Sequence, residues 1–400
     1  DILVLKNNKG TEDNRVRKLD YSIQISKIFY ERFIQDGEIT LFSPHDVPGL
    51  YDSFGTNKFD DLYVQYENDS SVPSKKIKAQ ELILNLLKER AETGRIYIMN
   101  IDHCNTHSSF KDKIEMSNLC QEITLPTVPI QHIDETTGEI ALCILSAINV
   151  GKVKSDDELE ELCELSVRAL EELIDYQKYP VLAAEVATKA RRSLGIGYIG
   201  LAHYLAKLGF KYDSQGAWDA VHGLSESFQY FLLKASNKIA QEKGYCESFG
   251  RTKYSQGLLP IDTYKKDVDE ISSVKLQHDW EGLRASILKH GLRHSTLSAQ
   301  MPSESSSVVS NATNGIEPPR GFLSIKKSKK GPLKQIVPQY ATLKNNYTLL
   351  WDMKSNDGYI KIVAMMQKFF DQAISGNWSY NPENYPDNEV PVSIMANDFL

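Results

Sequence analysis

The chain has 400 residues, 41% hydrophobic and 25% charged, with a formal net charge of −7. That is ordinary globular composition with ample material for a large core, and the acidic balance excludes a general nucleic-acid or membrane-surface binder. Five cysteines (Cys104, Cys120, Cys143, Cys163 and Cys246), odd in number and irregularly spaced, exclude a disulfide scaffold and fit a reducing cytoplasm. No apolar run approaches the ~20 residues that span a bilayer, so no membrane partner is expected, and no signal peptide opens the chain. Because the sequence starts at Asp1 without a Met, a fragment is the expectation.

In chain order, apolar spacing predicts a helix over 74–93, with Ser74 as a possible N-cap and Gly94 just past its end. "RIYIMNI" (95–101) reads as a strand. So does "EIALCILSAINV" (139–150), apolar enough to be buried on both faces. A long helix is predicted over 156–176, and others near 216–243, 279–290 and 357–375. The basic run "KKSKKGPLK" (326–334) reads as a solvated hairpin tip turning at Gly331-Pro332. No repeat, low-complexity tract or linker divides the chain. The alternation of helix and strand predicts an α/β architecture with a mainly parallel sheet or barrel.

Two motifs lose to plainer readings. "GIGYIG" (195–200) matches a dinucleotide fingerprint, but "AAEVATKARRS" before it is no strand, so close packing of helices around small residues is expected instead. "DHCNTH" (102–107) offers Cys104 and two histidines, but no second Cys/His pair completes a zinc site, and a structural role at a strand end is expected. Cys163 falls on an apolar stripe with Leu159 and Leu170. Cys246 falls in a loop after a helix.

The stretch "MSNLCQEITLP" (116–126) is different. As an extended segment it would place Asn118, Cys120 and Glu122 on one face. The bland reading is a half-buried strand with its polar face in water, for which a reactive thiol is a poor choice. Cys143, on the next predicted strand, could lie near Cys120 in a parallel sheet. In "MPSESSSVVSNATNGIEPPRG" (301–321) a hydroxyl-rich turn enters a short helix ending near Gly315. Its first turn would present N–H groups and hydroxyls to an anion such as phosphate. A simple capped helix needs one serine, not four. Thiol, carboxylate, amide and phosphate cradle together point to sulfur chemistry on a phosphorylated substrate.

These residues also carry a resemblance. "SNLCQEI", "ALCILSAIN", "RRSLGIG", "HGLRHSTLSAQMPSESSS" and "SNATNGIEPPRG" closely resemble the large (alpha) subunit of class I ribonucleotide reductase, aerobic bacterial and phage type, and the similarity runs end to end. The resemblance implies that residues 1–400 are the catalytic portion of the subunit, part of a ten-stranded α/β barrel with a central finger loop, surrounded by helices. Cys120 would become a thiyl radical that abstracts the ribose 3′-hydrogen. Asn118 would hold the ribose hydroxyls, and Glu122 would be general base on the 3′-OH. Cys143 would be one member of the redox pair that reduces the 2′ position. Ser303, Glu304, Ser305 and Ser306 would hold the substrate diphosphate.

It also implies a ribonucleoside diphosphate substrate and an alpha dimer, with no nucleic acid and no metal or cofactor bound by this chain. The radical would come from a metal-containing beta subunit, and reducing power from thioredoxin or glutaredoxin. Nucleoside triphosphate effectors would bind outside the region covered. The enzyme would be cytoplasmic, in the host if phage-encoded. Departures matter equally: none of Cys104, Cys163 and Cys246 takes the place of the second redox cysteine, and no Tyr-Tyr dipeptide occurs. The expectation is therefore a central-to-C-terminal portion, inactive alone, whose N-terminal complement is a missing segment or a separate chain. A cobalamin-dependent reductase and a non-catalytic regulatory remnant are the alternatives.

Overall fold

A computed structural model of the chain describes residues 21–94, 96–328 and 331–399. It divides into two compact units. One runs to Thr106 and includes Lys113–Glu115; the other comprises His107–Asp112 and Met116–Phe399.

In the first unit, β1 (Tyr21–Ile25) pairs in parallel with β4 (Ile96–Asn100), and β2 (Glu38–Phe42) pairs antiparallel with β3 (Ser74–Lys78). The helix expected from Ser74 starts later, at Ala79: residues 74–78, exposed but for the half-buried Ile77, form β3 opposite β2. Its end is as predicted, with Gly94 in the left-handed conformation (φ 71°). Arg95, which the sequence placed in a strand, lies outside the described residues; the strand takes Ile96–Asn100 of that stretch, and Ile101, also predicted as strand, opens the next helix. "DHCNTH" belongs to a helix, Ile101–His107, that begins where β4 ends. A small core of Ile28, Val47, Leu50, Phe59 and Tyr63 holds this unit.

The second unit is built around a run of parallel extended segments. β5 (Ile144–Asn149) pairs with β6 (Leu194–Ile199), Ile196 bridges in parallel to Ser298, and Gln300 bridges in parallel to Ile374. β5 is shorter than predicted. Residue 139 instead bridges back to Val128, and Leu145 is 44% exposed, so burial on both faces does not hold. "GIGYIG" is neither a phosphate turn nor helix packing. It is β6 itself, fully buried, with Gly200 (φ 80°) turning the chain into helix Leu201–Leu208.

Helix Asp156–Tyr176 forms where predicted. Ser155 Oγ accepts the Glu158 N–H, three acidic residues complement its positive end, and Leu159, Cys163, Val167, Leu170 and Ile174 form its buried stripe. Helices Gln215–Lys243 and Trp280–His290 also match. The last predicted helix stops early, at Gln367, because Phe369 and Phe370 enter the core from non-helical backbone. The basic run is a hairpin of β7 (Leu323–Ser328) and β8 (Gly331–Ile336). Gly331 and Pro332 are already in the strand, and the tip, 329–330, lies outside the described residues.

No helix among the described residues is long and apolar enough to cross a membrane. The described strands make four two-stranded sheets extended by single bridges, a mixed helix-and-sheet architecture with no closed barrel among them.

Candidate active site

Residues 118–122 are not a strand. The Gln121 N–H donates to the Asn118 carbonyl at 3.3 Å and Gln121 adopts φ 69°, so the segment is a tight turn with Leu119 and Cys120 at its tip. Alternation therefore does not align the three side chains. The chain reverses within these five residues, and Asn118 hydrogen-bonds the Glu122 carboxyl across the turn, which the polar pattern could not show. The Asn118 amide oxygen accepts the Ile123 N–H (3.1 Å), closing the loop on itself.

Glu122, 3% exposed, leaves the turn inward. Its carbonyl accepts the Ala373 N–H (3.1 Å), while its Oε2 is buried with no hydrogen-bond partner among the described residues. Burial pushes this carboxyl above its ordinary value, and a hydrogen bond from Asn118 draws it part of the way back. Cys120 is half-buried at the tip.

Cys143 lies just before β5, not within it. Burial pushes its thiol well above the usual range, and the charges of Asp371 and Glu122 act in the same direction. Its sulfur sits over β6: a Cβ added at Gly195 would lie 2.7 Å from Cys143 Sγ and 3.3 Å from Ile123 Cδ1. Two residues on, and so on the same face of the strand, a Cβ at Gly197 would lie 2.7 Å from the Ala299 carbonyl and 3.1 Å from Met301 Sδ. The glycines thus leave a flat face on which the loop, the second thiol and the start of the serine segment converge.

The serine segment forms a six-residue helix, Glu304–Val309, ending well short of Gly315. The four predicted residues do not act alike. Ser303 is buried, and its hydroxyl pairs with that of Ser307 (3.0 Å), which also accepts the Gly315 N–H (3.4 Å). Glu304, Ser305 and Ser306 face outward, where Lys326 Nζ lies 3.3 Å from both Glu304 Oε2 and Ser305 Oγ. The segment is anchored at the carboxyl ends of β5 and β6: the Asn149 amide donates to the Ser310 carbonyl (3.3 Å) and the Gly200 N–H to the Thr313 carbonyl (3.1 Å). Among the described residues no cluster of three or more His, Cys, Asp or Glu could hold a metal.

The family model described as "Ribonucleotide reductase, barrel domain" matches residues 1–399. The chain belongs to the ribonucleotide reductase family. All of it aligns, at 56% identity, with the ribonucleoside-diphosphate reductase subunit alpha of Haemophilus influenzae. It is 54% identical to the ribonucleoside-diphosphate reductase 1 subunit alpha of Escherichia coli and 45% identical to the subunit alpha of Enterobacteria phage T4. These alignments cover 54%, 53% and 54% of those proteins, so the chain spans about half the length of the curated relatives it matches.

In this reductase barrel-domain chain, two residues near Cys143 were invisible to sequence reasoning. Asp371 is fully buried and accepts from Tyr254 Oη (2.7 Å) and the N–H groups of Leu297 and Ser298 (3.0 and 2.8 Å), tying two parallel segments together. Gln372, next to it, reaches Cys143. Both fall where a helix was predicted, which gave no reason to aim them at the site.

Proposed function

We propose that this chain carries the catalytic centre of a ribonucleoside-diphosphate reductase, reducing ribonucleoside diphosphates to deoxyribonucleoside diphosphates for DNA synthesis. It is the catalytic barrel portion across 1–400, its parallel segments belonging to a ten-stranded barrel with the 118–122 turn as the finger loop. The observation that carries the reading is Glu122: a buried carboxyl with one oxygen unpartnered among the described residues, two positions from a thiol in the same turn. An unsatisfied buried carboxylate is costly unless a ligand completes it, and a sugar hydroxyl is the group the family likeness supplies.

In this reading Cys120, as a thiyl radical, takes the ribose 3′-hydrogen while Asn118 orients the hydroxyls. Glu122 accepts the 3′-OH proton; its upward shift moves it toward working pH, as a general base requires. The 2′-hydroxyl leaves as water. Cys143 and a second thiol, which this chain's other cysteines do not provide, each give one electron and one proton to the sugar and join as a disulfide. Cys120 then returns the hydrogen to the 3′ carbon, which closes the product and restores the thiyl radical, and thioredoxin or glutaredoxin reduces the disulfide. The radical originates in a metal-containing beta subunit. Glu304, Ser305 and Ser306 receive the diphosphate, with Ser303 shaping the turn from inside. Effector binding and the alpha dimer belong to the complete enzyme, in the cytoplasm.

The test is Cys120→Ser in the complete enzyme with beta subunit, effector and dithiol. Deoxynucleotide formation should vanish while substrate binding persists, because a hydroxyl hydrogen is far harder to abstract than a thiol hydrogen. Turnover near wild type would remove Cys120 from the mechanism.

A further inference from the structure

Gln372 is 3% exposed and joins three neighbours through one side-chain amide. Its Nε2 donates to the Leu194 carbonyl (2.8 Å) and reaches Cys143 Sγ (3.8 Å), while its Oε1 accepts the Thr124 N–H (3.2 Å). A glutamine amide has two N–H bonds, so serving a carbonyl leaves one for the sulfur. Its main chain is fixed as well, with the Gln372 N–H on the Ser298 carbonyl (3.1 Å) and the next N–H, of Ala373, on the Glu122 carbonyl (3.1 Å). One residue therefore locks the finger-loop exit, β6 and the second thiol into a single arrangement. An apolar side chain of the same length would fill the space but leave Thr124 and Leu194 with buried, unpaired backbone groups.

We propose that Gln372 is a positioning residue for the reductive half of the reaction: its amide N–H holds the Cys143 sulfur and stabilises negative charge there when the thiol releases its proton. This deepens the function proposed above and rests on it in taking Cys143 as a reductant. Every other nearby influence opposes that charge. Burial does so most, then two carboxyls facing the thiol, Asp371 beside Gln372 and Glu122 on the loop; the Gln372 hydrogen bond is the group that favours the thiolate. Without it, the thiol that must give up two electrons with its partner would be both loose and harder to deprotonate.

The experiment is site-resolved alkylation of Cys143 by iodoacetamide, followed by mass spectrometry across a pH series, in the full-length subunit. Wild type is compared with Gln372→Met, which lacks the donor, and Gln372→Glu, which keeps the acceptor for Thr124. The expected result is Cys143 alkylation about tenfold slower in Gln372→Met at every pH of the series, the effect of an upward shift of about one unit in a thiol that stays below its midpoint throughout. The shift should be larger in Gln372→Glu, where a carboxyl faces the sulfur. Multiple turnover with dithiothreitol should fall in parallel, with ribonucleoside diphosphate affinity unchanged.

A residue that merely packs would give the opposite sign. Loosening it would expose the sulfur, and equal or faster alkylation in the variants would overturn the proposal. If Gln372→Met does not fold, Gln372→Glu decides by the same two readings. Alkylation needs no turnover, so its failure is distinct from failure of the redox role of Cys143, which the activity of Cys143→Ala tests: sustained multiple turnover in that variant would remove Cys143 from the reaction.

Discussion

Two buried glutamates in the larger unit, Glu171 and Glu122, have been solved in opposite ways. Glu171, on helix Asp156–Tyr176, is saturated: Oε2 meets Arg192 Nε (2.7 Å) and His294 Nε2 (3.0 Å), and Oε1 meets Arg293 Nε (2.7 Å). Burial works against its charge, but His294, Arg192 and Arg293 prevail and hold it well below the usual carboxylate range. Glu122 is equally hidden, yet among the described residues no cation pairs with it and one oxygen has no partner, and its carboxyl is displaced upward. Glu226 also leaves one buried oxygen without a partner among the described residues, but three donors fill its other oxygen; in the function proposed above, Glu122 is the carboxyl whose open oxygen would receive a substrate hydroxyl.

The contrast is broken most severely at the site. Glu122→Gln should lower turnover of the complete enzyme by ~10²–10⁴, the usual worth of a positioned base, with little change in substrate affinity. A turnover within about threefold of wild type would put Glu122 with the structural group. Glu171→Gln is next: it strands Arg192 and Arg293 beside a neutral amide and should cost about 3–5 kcal/mol in urea unfolding, the range for breaking a buried pair. Its effect on activity should follow loss of folded protein alone.

A pH series sharpens the same pair through linkage. Glu171 is depressed, so its stabilisation is present above the unfolded pKa near 4.3 and is lost as pH falls through the lower folded value. Glu122 is raised, so stability is greatest below the unfolded value and declines as pH rises through the folded one. Urea midpoints of wild type and Glu122→Gln should therefore coincide in acid and diverge upward, with the variant the more stable. Parallel curves would deny that Glu122 is buried uncompensated. The smallest effect is expected at the outward serines. Ser305→Ala and Ser306→Ala should each change diphosphate affinity by less than about threefold, because the first-turn N–H groups remain, whereas bulky replacements should block it.

The sequence conveyed what rests on local, repeated signals. Helix Asp156–Tyr176 was legible to the residue because cap, acidic first turn and apolar stripe agree. The residue types of the site were legible too, but not their assembly. Asn118, Cys120 and Glu122 lie in one tight turn whose left-handed residue is Gln121, a type that carries no turn signal. Ser74–Lys78 and 368–375 were misread as helix because lysine tolerates either state and because Phe369 and Phe370 continue an apolar rhythm after the helix has stopped. Asp371 and Gln372 emerged only from tertiary contacts, since nothing local predicts which distant strand a buried amide will reach.

The bare face of β6 carries a consequence for how variation in this chain would be interpreted. Gly197 meets a backbone carbonyl, which cannot swing aside, whereas Gly195 meets the tips of Leu145 and Cys143, which can shift a little. In a saturation screen scored by growth, position 197 should tolerate nothing and position 195 almost nothing, a profile usually taken to signal reacting groups. Neither glycine has an atom that reacts. What selection would be preserving there is an absence: the volume of one methyl group, kept empty so that a thiol and a loop can lie flat against the sheet.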